Sequence, residues 1–230
     1  MTLNLHKESL DKIRLHKATK QVTIEDFPSA FEYIDKRFPN ANVRECQVYV
    51  AKRSFLDRVG YKGIGGFYSK IEKIVVIPDE MPEPVIPKNT TGKTRWKSIK
   101  AKLTVEEILV HELCHYVSAK SCTTPKSMQI EEEFAYGNMV DFCRSRGRSD
   151  DEIVLSIFLP YLFNVVLQTK QYLPCKSDED DRMLFDSVMK DATDLGFRII
   201  AIWDRKRNPE ETNTERKSID SKKTLNLDLD

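Results

Sequence analysis

His111, Glu112 and His115 spell H-E-x-x-H inside a stretch whose apolar residues recur at helical spacing. Two histidines four residues apart stand one helical turn apart on the same face, so both imidazoles can reach a single cation. Glu112 sits beside that cation without needing to bind it, placed to take a proton from water that the cation acidifies. The chemistry this supports is hydrolysis, with the peptide bond as its natural target. Catalytic zinc takes three protein ligands and keeps a fourth position open, so two imidazoles leave the set incomplete. The other histidines, His6 and His16, lie far upstream in a highly charged segment, whereas Glu131-Glu132-Glu133 follows His115 after a short connection and opens a second helical stretch. Successive helix positions point about 100° apart, so one of the three carboxylates can face the ion. Glu132 shares a stripe with Met128, Ala135, Met139 and Phe142 and points toward the core, which makes it the expected third ligand. Glu131, aligned with Asn138 and Asp141, and Glu133, near Gly137 and Arg144, are expected to face solvent or to support the ligands, and both stay open as alternative ligands. An acidic first turn interacting with the helix dipole would account for at least one of the trio without a metal.

The element that carries the histidines can be delimited from its ends. Thr104 and Glu107 have capping-box spacing, in which hydroxyl and carboxylate each satisfy a backbone N–H that the first turn leaves unpaired. The helix should therefore begin near Val105. Val105, Ile108, Leu109, Leu113, Tyr116 and Val117 supply apolar residues at three- and four-residue steps, and an end between Ala119 and Ser121 precedes Pro125. Cys114 points to another face than His115 and is read as a small buried apolar residue.

The two helices in this order resemble a gluzincin-type zinc metallopeptidase, in which an H-E-x-x-H helix is followed by one bearing a glutamate ligand in an E-x-x-A setting, here Glu132-Glu133-Phe134-Ala135. The resemblance spans residues 104 to 143. It implies a zincin-like metallopeptidase domain with Zn2+ held by His111, His115 and Glu132, Glu112 as catalytic acid/base, and a peptide or protein substrate. Many gluzincins carry Asp or Asn four positions after the ligand glutamate to support a zinc histidine. This chain has Tyr136 there, with Asn138 and Asp141 as candidate substitutes. Tyr136 and Tyr161 are candidate donors to the oxyanion that develops during attack. A metzincin extension would need Gly and His where the chain has Ser118 and Ser121. The H-E-L-C-H wording is also similar to SprT-type proteases, which act near DNA, but those use a third downstream histidine that is missing here.

Around this core the reading is α+β: a mostly helical single domain over residues 1–207, a small β-sheet preceding the metal helix, and a polar, charged tail over 208–230. Lys7–Lys17 and Phe27–Phe38 read as helices of an amino-terminal cover, the whole first 40 residues looking helical. Val43–Ala51 and Ile71–Ile77 carry the β signal, and the glycines from Gly60 to Gly66 around Tyr61, Phe67 and Tyr68 suggest a hairpin or an edge near substrate. Pro78 to Gly92 reads as a loop bordering the cleft. The second metal-site helix should run to a C-cap at Gly147. A helix capped by Ser149 and Glu152 should continue through Ile153–Leu167, with a kink at Pro160, and another should span Asp178–Trp203 with Gly196 as an interruption.

Charge does not identify a partner: 37 basic residues against 36 acidic ones leave a net charge of +1, which excludes the global excess of an obligate nucleic-acid coat. Lys88, Lys93, Arg95, Lys97, Lys100 and Lys102 around Trp96 could still contact phosphate or stack on a base. The rival reading is thus a catalytically inactive binding or regulatory module that uses the basic 88–102 segment for nucleic acid or an acidic protein. A structural zinc module with no open position is a third. Five cysteines at irregular spacing form no C-x-x-C framework, the first 21 residues lack the apolar core of a secretory signal, and Ile153–Leu167 is too short and polar to span a bilayer. These features predict a cytoplasmic protein without a membrane partner.

Overall fold

Two strand sequences, QVYVA and IVVIP, are apolar on both faces, and a sheet built around them has to be covered on both sides. A computed structural model describes residues 7–61, 65–81, 103–121, 128–158 and 178–207. Its strands are β1 (Thr19–Val22), β2 (Gln47–Ala51), β3 (Phe67–Ser69) and β4 (Ile74–Pro78), in the order β1-β2-β4-β3. β1 is antiparallel to β2, β2 parallel to β4, and β3 antiparallel to β4. Along β2 and β4 the side chains alternate between two cores. Tyr49, Ala51, Ile74 and Val76 meet Leu10 and Ile13 of α1 (Lys7–Arg14) and Phe55 and Leu56 of α3 (Arg53–Arg58). Val48, Val75 and Ile77 face the larger core, formed with α2 (Pro28–Arg37), α4 (Val105–Ser121), α5 (Met128–Ser145) and α7 (Asp178–Arg207).

The fold is α+β, with the sheet ahead of the helix carrying the histidines, as the residue pattern implies. Two local readings need correction. The amino-terminal segment is not wholly helical, because β1 lies between α1 and α2. β1 is an edge strand of sequence TKQV with only Val22 buried, so it shows no period-two apolar signal. Val43–Glu45 is a 3-10 turn entered from Asn42 at φ 48°, and β2 begins only at Gln47. The glycine-flanked segment supplies β3, which hairpins with β4 and also ends the sheet.

α5 ends in a Schellman arrangement at the expected C-cap: Gly147 N–H donates to the Arg144 carbonyl and Arg148 N–H to that of Cys143. Ser149 and Glu152 cap the short helix α6 (Asp150–Ile153) reciprocally, and the chain then passes into π-helical bonding over Val154–Phe158. The readings for residues 82–102, including the basic segment and Trp96, for Pro160 and Tyr161, and for the tail lie outside the described residues. None of the described helices is long and apolar enough to cross a membrane.

Gly196 does not interrupt α7, which runs unbroken from Asp178 to Arg207. Its missing side chain serves packing: an added Cβ would stand 2.7 Å from Val154 Cγ1 and 3.4 Å from Phe158 Cβ. Val154 is fully buried and stiff at χ1, so it cannot yield cheaply. Gly196→Ala should therefore destabilise the protein by about 1–2 kcal/mol, although alanine is the better helix former by about 1 kcal/mol. In a Val154→Ala background, where the obstacle is gone, the same change should stabilise; chemical denaturation of the four variants measures both signs.

Candidate metal centre

α4 starts where its cap dictates. Thr104 N–H donates to Glu107 Oε2 at 2.8 Å, and Glu107 N–H returns a bond to Thr104 Oγ1 at 3.2 Å. The Glu107 carboxylate is buried and also takes both its oxygens to Arg148 Nη1, at 2.6 and 2.7 Å. Arg148 follows the end of α5, so this pair joins the start of one helix to the end of the other and holds them antiparallel. Every residue of α4 from Glu107 to Ser118 is buried, which takes His111, Glu112 and His115 out of bulk solvent.

Within this packing His111, His115 and Glu132 converge. The two imidazole Nε2 atoms are 3.2 Å apart. Glu132 places Oε2 3.4 Å from His111 Nε2 and Oε1 3.6 Å from His115 Nε2. Donor atoms at about 2.0–2.2 Å from a tetrahedral ion lie about 3.3–3.6 Å from one another. Each Glu132 oxygen thus lies near that spacing from one imidazole nitrogen, one donor atom from each residue lies within 4.8 Å of the others, and the group could hold a metal. Two nitrogens and one carboxylate oxygen form a donor set suited to zinc and its divalent neighbours.

The electrostatics of the cluster favour the same use. Burial drives the His115 imidazole down to about 2, with His111 adding to the shift and Glu132 opposing it. Burial alone would raise the Glu132 carboxyl, but hydrogen bonding and charge from His111, joined by His115, bring it down to about 2. A neutral imidazole and an ionised carboxylate are the ligating forms of these side chains. Glu112 behaves in the opposite sense: burial pushes its carboxyl above the ordinary range, His111 pulls it back, and Glu132 raises it further. Its carboxylate lies against Gly66, immediately before β3. A Cβ there would come within 3.1 Å of Glu112 Cγ and 3.2 Å of Oε1, so glycine keeps this approach open.

Other residues read as site candidates divide clearly. Tyr136 is at the centre: its ring is 4.4 Å from that of His111, and its other side stacks on Trp203 at 6.2 Å. Asn138 is buried with Nδ2 donating to the Phe134 carbonyl. Asp141 pairs with Arg37 and Arg207. Both contacts tie α5 to its own backbone or to other helices and do not reach the imidazoles. Glu131 is not solvent-facing: it is buried and bonded to Lys70 Nζ at 2.8 and 3.0 Å. Glu133 reaches Lys206 on α7. Neither alternative carboxylate joins the cluster, and Cys114 is fully buried as read. Lys70 and Trp203 show no sign of a site role in the sequence, because each reaches the centre through tertiary contact alone, whereas Gly66 belongs to the glycine segment read as a hairpin or an edge near substrate. No protein-family model matches this chain, and no curated protein or solved structure is significantly similar to it.

The raised Glu112 carboxyl has a consequence for the metal-free protein. Below its ordinary value of 4.5 the group is protonated in both folded and unfolded chains. As pH rises past that point the unfolded chain ionises first, so the folded state loses stability. A glutamine has no such dependence. Metal-free Glu112→Gln should therefore be more stable than the wild type at pH 7, by an amount that grows from about pH 4.5 upward. Urea melts with chelator present measure it, and a difference that is flat between pH 4 and 8 would refute the assignment.

Proposed function

We propose that this protein is a zinc-dependent peptidase in which His111, His115 and Glu132 hold the ion and Glu112 moves the proton. The observation that carries this reading is the convergence of His111, His115 and Glu132 from two helices, with the imidazole nitrogens 3.2 Å apart, one Glu132 oxygen 3.4 Å from the first and the other 3.6 Å from the second, and a buried glutamate next to the first histidine. A zinc ion bound there would acidify water and polarise a carbonyl, leaving room for both beside three protein ligands.

The chain's own residues account for the remaining work. Two neutral imidazoles and one carboxylate would leave a bound Zn2+ with a net charge of about +1, which would suit it to a developing oxyanion. Glu112, one residue past His111 and outside the ligand cluster, is the proton carrier. Its raised affinity for protons makes it a stronger base than a surface carboxylate, and it can return the proton to the departing amine. Tyr136 lies one turn beyond Glu132 on α5, and its ring packs at a tilt against that of His111, 4.4 Å away, which limits the imidazole's rotation.

A peptide is the substrate class that the resemblance to gluzincins implies. β3, paired with β4, ends the sheet among the described residues, and all three of its residues are buried. That strand begins one residue after Gly66, whose missing side chain leaves room for Glu112.

The purified chain should take up about one zinc per molecule and cleave an unfolded protein such as reduced, alkylated albumin, and a chelator should abolish the cleavage. Glu112→Gln should keep the zinc and lower the rate about 10²–10⁴-fold, whereas His111→Ala, His115→Ala and Glu132→Ala should lose the zinc itself. Metal analysis and mass spectrometry of the products check both halves. Cleavage that survives chelation or the Glu112→Gln change would overturn the reading.

A further inference from the structure

The third ligand is the least secured of the three by its own helix. His111 and His115 lie in the middle of α4, whereas Glu132 is the fifth residue of α5, next to a first turn whose N–H groups have no intrahelical acceptor. A turn so close to a helix end frays and rotates unless something outside the helix holds it. Zinc tolerates little of this, since its ligand distances are fixed to a few tenths of an ångström.

One residue before the ligand, Glu131 is buried with 8% of its side chain exposed, and it receives Lys70 Nζ on both oxygens at 2.8 and 3.0 Å. Lys70 directly follows β3, and β3 is fixed by its pairing with β4. The ion pair therefore runs from the rigid sheet to the position adjoining Glu132, across 61 residues of sequence. Removing Lys70 would leave a carboxylate buried without its cation, a costly state that the helix end could relieve by turning Glu131 toward water. Glu132, about 100° away on the same turn, would move with it.

We infer that the Lys70–Glu131 pair is a positioning clamp that holds the first turn of α5 in the rotation at which Glu132 can join His111 and His115 on one ion. This inference rests on the metal reading above and adds to it a residue pair outside the ligand set. The clamp acts on Glu132 through the backbone, so its loss is read in metal affinity and in ligand geometry.

The test uses the full chain with zinc, competed against a chromophoric chelator, and with cobalt(II) in zinc's place for its visible spectrum. Lys70→Met should weaken zinc binding about 10–100-fold and lower the intensity of the cobalt bands as the carboxylate oxygen leaves the ion. Lys70→Arg, which keeps the charge pair, should stay within about threefold of the wild type. Lys70→Met/Glu131→Gln removes the stranded carboxylate and should bind more tightly than Lys70→Met alone; it also provides a measurement should the single variant fail to fold. Unchanged affinity and cobalt spectrum in Lys70→Met or in the double variant, with one zinc bound by the wild type, would overturn the clamp and leave the metal reading standing. A folded wild-type chain that binds no zinc would overturn both.

Discussion

Three donor atoms from two antiparallel helices have to meet within about an ion's diameter, and most of the structure around α4 and α5 can be understood as the means of keeping them there. The helices are tied at one end by Glu107 with Arg148 and by Glu106 with Arg146. Between the ties lies a fully buried seam that includes Leu109, Leu113, Ala135, Met139 and Cys143. Close-packed side chains of this kind leave no room for sliding, since even a methylene-sized change is felt. The sheet beneath supplies the stiff reference: all of β4 is buried, and α4 lies in the same core as Val75 and Ile77.

That arrangement runs against stability taken alone. Glu107, His111, Glu112, His115 and Ser118 are all buried in one helix, where uncompensated polar groups cost roughly 1–3 kcal/mol apiece. Glu107 is compensated by its cap and by Arg148. The imidazoles and Glu132 are harder to satisfy with protons alone. A hydrogen bond between the two Nε2 atoms uses one N–H and one lone pair, and the carboxylate then adds two more acceptor oxygens within 3.6 Å. Crowded acceptors in a buried pocket are relieved by a positive charge at their centre. Glu112 is a buried carboxylate outside that donor group, in space that Gly66 leaves open, and burial raises its affinity for a proton.

The parts legible in the sequence are those set by neighbours along the chain. Thr104 with Glu107, Ser149 with Glu152, and Gly147 are local cap chemistry, and each falls at an observed helix end. The H-E-x-x-H spacing and the stripe through Glu132 are helix periodicity, and they bring together the three residues that cluster. What the sequence concealed depends on distant partners. β1 is polar and becomes a strand only because β2 offers it hydrogen bonds. Gly196 reads as a helix breaker until Val154 shows the space it must leave. Asn138 and Asp141 look available on α5 until the Phe134 carbonyl, Arg37 and Arg207 occupy them.

The three consecutive glutamates draw these strands together. In sequence Glu132 reads as the core-facing member and its neighbours as solvent-facing or supporting, and the 100° spacing sends each to a different structure: Glu131 to Lys70 beside the sheet, Glu132 to the imidazoles, and Glu133 to Lys206 on α7. α5 is therefore gripped on both flanks of its ligand. The grip from α7 extends further, since Arg207 bonds the Gly137 carbonyl and Asp141, while Trp203 stacks on Tyr136, which in turn packs against His111. The motif-bearing residues 104 to 143 thus supply the donors but not the forces that fix them. Those come from β3 on one side and from a helix that begins about 35 residues after the motif ends on the other. Either flank could be lost without touching a ligand and still loosen the centre, so the carboxy-terminal helix belongs to the framework of the site as much as the helix that carries the histidines.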